Sequence, residues 1–238
     1  MKTYALIGNN LSHTFSKNYF KKKFKKENIS DQYINIELQH INEIKSIIKK
    51  YNLSGLNVTI PFKEKIIKYL DAISTEAEKI QAVNTIKIIN KKLIGFNTDY
   101  QGFYSSIQPI LNKRKGAIIL GSGGSSKAVQ FSMRKLGINH IVIGRNTELT
   151  YDDIDKEILE KYEIIVNCTP LGSYPKLYEY PNLPYKYLNT KHLLFDLIYN
   201  PSITEFIKLG KRQKCCVKNG LEMLEIQANL SWDIWNSK

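Results

Sequence analysis

The chain has 238 residues, 42% of them hydrophobic and 24% charged, and its 35 Lys and Arg outweigh 22 Asp and Glu for a net charge of +13. That length forms one large domain or two modest ones, with the composition of a globular chain rather than a disordered or fibrous one. No apolar run nears the ~20 residues that span a bilayer, the opening segment lacks the pattern of a signal peptide, and Cys168, Cys215 and Cys216 indicate neither a disulfide framework nor a zinc site. A cytoplasmic protein with three thiols is expected. The lysines are spread along the chain, with one cluster at Lys21, Lys22, Lys23, Lys25 and Lys26. Charge alone therefore makes no case for nucleic acid, and a positive surface also attracts an anionic cofactor or a carboxylate substrate.

Strand and helix signals alternate. Residues 3–8, an apolar run ending in glycine, predict a buried strand. Residues 16–28 predict a helix with Phe20 and Phe24 on one face and lysines on the other. A strand over 34–38, a helical stripe over 41–51 and a short strand over 55–58 follow. Residues 65–70 read as a short helix and 74–80 as another turn or two. Strands over 83–89 and 92–96 are joined by the turn Asn90-Lys91, and Pro109 weakens or ends a helix over 100–111. The pattern then restarts. Ala117-Ile118-Ile119-Leu120 is a near-continuous apolar strand, typical of a parallel sheet covered on both faces. A helix over 125–136, strands over 140–143, 163–167 and 193–196, and helices over 202–210 and 220–236 complete the chain. The restart near residue 100 marks the domain boundary. Periodicity leaves open whether the last helix rejoins the first domain.

Three segments carry chemistry. Asn57-Val58-Thr59-Ile60-Pro61-Phe62-Lys63 follows a strand signal and ends in a lysine. Gly95-Phe96-Asn97-Thr98-Asp99 follows another and supplies a carboxylate. Gly121-Ser122-Gly123-Gly124-Ser125-Ser126 leaves a strand and opens a helix, which is the context of a dinucleotide turn. There Gly121 permits the tight turn, Gly123 removes the side chain where a pyrophosphate approaches, and the amides at the helix start face the phosphates. Ser126 stands at the third glycine position. After the next strand comes Arg145 rather than an acidic residue, which suits a 2′-phosphate and favours NADP over NAD. A lysine, an aspartate and a dinucleotide turn together suggest reversible hydride transfer to a carbonyl.

Along nearly its whole length the chain resembles the shikimate dehydrogenases. The residues that carry the resemblance are Leu11-Ser12-His13-Thr14-Phe15-Ser16, the heptad 57–63, Ala82-Val83-Asn84-Thr85 and Asn97-Thr98-Asp99. Asn167-Cys168-Thr169-Pro170-Leu171-Gly172, Asp196-Leu197-Ile198-Tyr199-Asn200-Pro201, Asn219-Gly220-Leu221-Glu222-Met223-Leu224 and Gln227 extend it. The resemblance implies an α/β protein of two domains with a cleft between them: an α/β substrate domain over 1–98, completed by the C-terminal helix 219–238, and a Rossmann-like NADP-binding domain over 99–218. It implies NADPH reduction of 3-dehydroshikimate to shikimate, on the route to aromatic amino acids.

Roles follow from the resemblance residue by residue. Lys63 would protonate the alkoxide that hydride arrival creates, with Asp99 orienting it; which of the two is the formal donor stays open. Thr14 and Ser16 would bind the substrate carboxylate, and Thr59, Asn84, Asp99 and Gln227 the ring hydroxyls. Tyr199 would offer its phenol near the carboxylate or nicotinamide, or else pack under the loop. Gly121, Ser122, Gly123, Gly124, Ser125, Arg145 and Thr169 would hold NADP. Four departures stand out: Thr14 for the loop's first serine, Lys17 for a proline, Glu222 for a glycine, and a shortened stretch between Arg145 and Glu163. The four histidines show no ligand spacing, so no metal is expected. Neither nucleic acid nor a membrane is expected as a partner, and the chain would be a monomer or homodimer. The alternatives are an NAD-using quinate/shikimate dehydrogenase and a non-catalytic ligand-binding regulator on the same scaffold.

Overall fold

The computed structural model describes residues 1–9, 11, 15–145 and 147–237. The chain divides into two compact units, Met1–Thr98 with Ala228–Lys238, and Asp99–Gln227.

The first unit contains β1 (Thr3–Gly8), α1 (Phe15–Lys26), β2 (Gln32–Glu37), α2 (Ile44–Tyr51), β3 (Leu53–Val58), β4 (Ala72–Ile73), α3 (Thr75–Ile80), β5 (Thr85–Ile89) and β6 (Lys92–Phe96). They form a six-stranded sheet in the order β2-β1-β3-β5-β6-β4. β1 runs parallel to β2 and β3, whereas β5 is antiparallel to β3 and β6. Every residue of β1 is buried, which is why its sequence shows no alternation. Ala5, Ile7, Leu56, Val58, Ile66 and Ile86 form the core on one face. The other face is aromatic: Tyr4, Phe20, Phe24, Tyr33 and Trp235 pack together, with Phe20 stacked on Tyr33 at 4.5 Å and Tyr4 on Trp235 at 4.6 Å between ring centroids. Burying each such ring stabilises the fold by roughly 2–3 kcal/mol. α1 thereby buries Phe20 and Phe24 and exposes Lys17, Lys21, Lys22, Lys25 and Lys26. The β5–β6 turn places Asn90 and Lys91 at φ 51° and 62°, the twist-matched form of a two-residue hairpin.

The second unit contains α4 (Asp99–Ile107), β7 (Gly116–Leu120), α5 (Gly124–Lys135), β8 (Asn139–Ile143), α6 (Lys156–Lys161), β9 (Ile164–Asn167), β10 (Leu193–Asp196), α7 (Glu205–Arg212), β11 (Cys216–Lys218) and α8 (Leu221–Asn236) up to Gln227. Its five strands are all parallel, in the order β11-β10-β9-β7-β8. Successive strand residues feed opposite cores, Ile119, Val166 and Phe195 on one face and Ile118, Ile165 and Leu194 on the other. Numbered along the unit, the spatial order is 2-1-3-4-5, a doubly wound sheet whose topology reverses between β7 and β9. Ligands of such sheets bind outside the carboxyl ends of the strands at that reversal.

The elements depart from expectation in two respects. The segment 65–70 holds only a single 3₁₀ turn at Ile67–Tyr69. As expected of Pro109, α4 stops at Ile107 and gives way to a 3₁₀ turn that contains it. β4, β11 and α6 are additions, of two, three and six residues. The two strands are too short to show a period. α6 announces itself only through its cap, the Asp155 carboxylate accepting from the Ile158 amide at 2.8 Å. Among the described residues no helix is long and apolar enough to cross a membrane.

Candidate active site

In the first unit the heptad 57–63 is a turn pinned at both ends. The Thr59 amide donates to the Ile7 carbonyl at 2.8 Å, the Phe62 amide to the Thr59 carbonyl at 2.9 Å, and the Val83 amide to the Lys63 carbonyl at 2.8 Å. Phe62 is buried as the anchor, while Thr59 and Lys63 are half-buried. A long lysine stem can pack while its ammonium stays hydrated.

Behind this turn lies a buried polar network. Asn57 Nδ2 lies 3.1 Å from the Asn84 carbonyl, 3.1 Å from Thr85 Oγ1 and 2.9 Å from Ser231 Oγ, and Asn57 Oδ1 accepts from the Tyr33 hydroxyl at 2.8 Å. Asn84 Nδ2 donates to Thr98 Oγ1 at 2.9 Å, and Asn84 Oδ1 accepts from the Thr98 amide at 2.7 Å. Asn97 Nδ2 donates to the Ala82 carbonyl at 2.9 Å. Removing one member would strand its partners away from water, so the network fixes the backbone that carries Asn84 and Thr98. Ser16 is buried and its side chain hydrogen-bonds the Tyr33 phenol, which burial pushes well above its ordinary range. Thr14 lies outside the described residues.

In the second unit every residue assigned to the nucleotide follows a strand's carboxyl end. Gly121, next after β7, has φ +103° and donates its amide to the Ile143 carbonyl at 2.7 Å. Side chains rarely adopt that φ. A Cβ there would also lie 3.3 Å from Thr169 Cγ2, so the glycine turn and the segment after β9 are in contact at the topological reversal. Gly123 is the N-cap of α5, at φ −82° and ψ −176°. A Cβ at Gly123 would meet nothing within 4 Å. Neither backbone conformation nor packing demands glycine there, and the open space at the start of a twelve-residue helix fits a dinucleotide pyrophosphate. Ser122 is exposed and Gly124 and Ser125 are half-buried beside it. Ser126 is buried and accepts from Gln130 Nε2 at 3.2 Å, which reconciles a serine with tight helix packing.

After β8, the Thr147 hydroxyl donates to the Gly144 or the Leu149 carbonyl. Arg145 is exposed. Thr169 donates its amide and hydroxyl to Asn167 Oδ1 at 3.0 and 2.6 Å. Asp99 is buried in the first turn of α4, where the helix dipole favours a carboxylate. Tyr199 is half-buried, and Gln227 is buried with its Nε2 donating to the Leu224 carbonyl at 3.0 Å.

Residues 6–86 match the family described as the shikimate dehydrogenase substrate binding domain. A shikimate dehydrogenase (NADP(+)) from Clostridium beijerinckii is 38% identical, over 99% of this chain and 92% of the relative. The chain belongs to the shikimate dehydrogenase family. The crystal structure of shikimate dehydrogenase 1 from Peptoclostridium difficile is 39% identical, with a TM-score of 0.88 over 99% of this chain and 91% of that one. Another shikimate dehydrogenase, from Thermus thermophilus in complex with NADP(H) and shikimate, is 28% identical with a TM-score of 0.87 over 99% of this chain and 94% of that one. The matched segment 6–86 contains Thr59, Lys63 and Asn84 of this shikimate dehydrogenase family member.

Sequence reading missed the supporting residues. Asn57 was legible as part of a motif but not as the hub that joins Tyr33, Thr85 and Ser231. Its signal was a polar residue flanked by Leu56 and Val58. Asn167 and Asp196 were likewise visible in motifs, but their partnership arises only from the parallel register that sets Asp196 beside Asn167.

Proposed function

We infer that this protein catalyses the NADPH-dependent, reversible reduction of 3-dehydroshikimate to shikimate, a step of aromatic amino acid biosynthesis. Full-length likeness to an NADP(+)-type shikimate dehydrogenase carries this reading, and the open Gly123 position beside an exposed Arg145 supports the cofactor. NADPH, when bound, supplies the hydride. In the proposed site Gly121 to Ser125 and Thr169 hold the pyrophosphate side, and Arg145 pairs with the 2′-phosphate.

A ketone carbon that gains hydride leaves its oxygen as an alkoxide, which needs stabilisation and a proton. Lys63 is the group assigned to supply both. Asp99 is the residue assigned to orient Lys63 in this reading. Thr14 and Ser16 bind the substrate carboxylate in this reading. Thr59, Asn84 and Gln227 bind ring hydroxyls, so analogues lacking a hydroxyl would leave buried polar groups unpaired. Tyr199 adds a phenol to the same substrate. The exposed lysines of α1 are read as attraction for anionic ligands rather than as a nucleic-acid surface, and a cytoplasmic monomer or homodimer completes the proposal.

The test is to supply purified protein with NADPH and 3-dehydroshikimate and to identify the product. Shikimate formed in step with NADPH loss supports the reading. Folded protein that consumes no NADPH overturns it.

A further inference from the structure

Asp196 ends β10, is fully buried, and has no part in the reaction described above. Its Oδ1 accepts from Asn167 Nδ2 at 3.0 Å and from the Ile198 amide at 3.1 Å, and its Oδ2 accepts from the Thr204 hydroxyl at 2.6 Å. Three polar groups converge on its two oxygens, and an ionised carboxylate accepts from all three. Among the described residues Tyr185 senses its charge: burial pushes that phenol up first, then Tyr180, Asp196 and Tyr151. Asn167, Thr204 and the Ile198 amide are uncharged. Burial pushes the Asp196 carboxyl up to about 6, against the pull of its three hydrogen-bond partners.

What the charge holds is Asn167. Donating Nδ2 to Asp196, and also to the Leu171 carbonyl at 3.2 Å, turns Asn167 Oδ1 toward the Thr169 amide and hydroxyl. Thr169 Oγ1 in turn accepts from the Leu171 amide at 3.3 Å. Thr169 is also the side chain that a Cβ at Gly121 would meet. A chain of contacts therefore runs from the start of α7 through Asp196 and Asn167 to the glycine turn.

We propose that Asp196 is a positioning residue for nucleotide binding, acting through Asn167 on the backbone of residues 168–172; this rests on the reading of Gly121–Gly124 and Thr169 as the NADP site. The carboxylate fixes the Asn167 amide, the amide fixes Thr169, and Thr169 fixes the wall of the glycine turn.

The experiment measures NADP⁺ dissociation constants by calorimetry, with steady-state kinetics, for the wild type, Asp196→Asn, Thr204→Val, Thr204→Ser and Gly123→Ala. Losing one charge-assisted hydrogen bond predicts about tenfold weaker NADP⁺ binding for Asp196→Asn. The shikimate KM and the kcat at saturating NADP⁺ stay within about twofold. Thr204→Val, which also removes the side-chain cap of α7, weakens NADP⁺ in the same direction and Thr204→Ser restores it, which keeps the proposal testable if Asp196→Asn does not fold. ADP-ribose, which lacks a titrating 2′-phosphate, gives the pH profile. Its affinity for the wild type falls severalfold as pH drops through about 6, and its affinity for Asp196→Asn is pH-independent. Wild-type NADP⁺ affinity in both Asp196→Asn and Thr204→Val, or a flat ADP-ribose profile in the wild type, overturns the proposal. If Gly123→Ala also binds NADP⁺ normally, the nucleotide reading falls first and takes the proposal with it. If Gly123→Ala weakens binding and Asp196→Asn does not, only the role of Asp196 falls.

Discussion

Gly123→Ala separates packing from ligand binding unusually cleanly. The added methyl meets no protein atom within 4 Å, and the backbone at φ −82° and ψ −176° is open to alanine. The fold loses only the preference for glycine over alanine at a helix N-cap, about 1 kcal/mol or less. That corresponds to a fall of about 2–4 °C in Tm for a chain of this size. A pyrophosphate approaching the α5 amides would meet the methyl directly. Displacing it by about one hydrogen bond to a charged group costs about 1.5–3 kcal/mol, or roughly tenfold to a hundredfold in NADP⁺ affinity. Calorimetric titration with NADP⁺ beside a thermal melt reads both quantities on one sample. NADP⁺ affinity within twofold of wild type, in protein that melts normally, would refute the assignment of this turn to the pyrophosphate.

Lys63→Ala should lower turnover by about a hundredfold to ten-thousandfold while NADP⁺ binding stays near normal; near-normal turnover would remove the lysine from the chemistry. Arg145→Ala should weaken NADP⁺ much more than NAD⁺, and an equal effect on both would mean the 2′-phosphate is held elsewhere. Asp196 makes a signed pH prediction. Its carboxyl sits at about 6 in the folded chain against an ordinary 3.8, so the folded state binds that proton more tightly than the unfolded chain. The resulting stabilisation, about 3 kcal/mol at most, is complete below the ordinary value and lost as pH rises through the folded one. The Tm of the wild type relative to Asp196→Asn should therefore rise on acidification from about pH 7 to about pH 4.5, and a constant difference would contradict the burial argument. Tyr4 is buried with no hydrogen-bond partner for its hydroxyl among the described residues, and burial pushes its phenol up to about 12. Tyr4→Phe should be neutral or stabilising by about 1 kcal/mol in a melt; a clear loss would reveal a partner for the hydroxyl.

Local chemistry made part of the fold legible in advance. Ala117 to Leu120 lie in a strand buried on both faces, and only an all-apolar run suits that position. The glycine turn was readable because strand, glycines and helix are contiguous. β11 has three residues, Cys216 to Lys218, too few for a period to emerge, and it owes its place to pairing with β10. The polar network was hidden for a different reason. Ser231 and Thr85 lie 146 positions apart yet their hydroxyls are 2.7 Å from each other, a pairing that no local pattern encodes. The same holds for Asp196 and Asn167, separated by 29 positions and joined by strand register. Motif residues that face a ligand are visible as unusual residue types, whereas those that hold them appear only once the strands are assembled.

The most direct test of the central claim follows reduced nicotinamide absorbance while shikimate is supplied with NADP⁺, and with NAD⁺ in a parallel cuvette. Rapid reduction of NADP⁺, with NAD⁺ far slower, is the expected result. No reduction of either nucleotide by folded protein would contradict the assignment of a shikimate-oxidising activity to this chain.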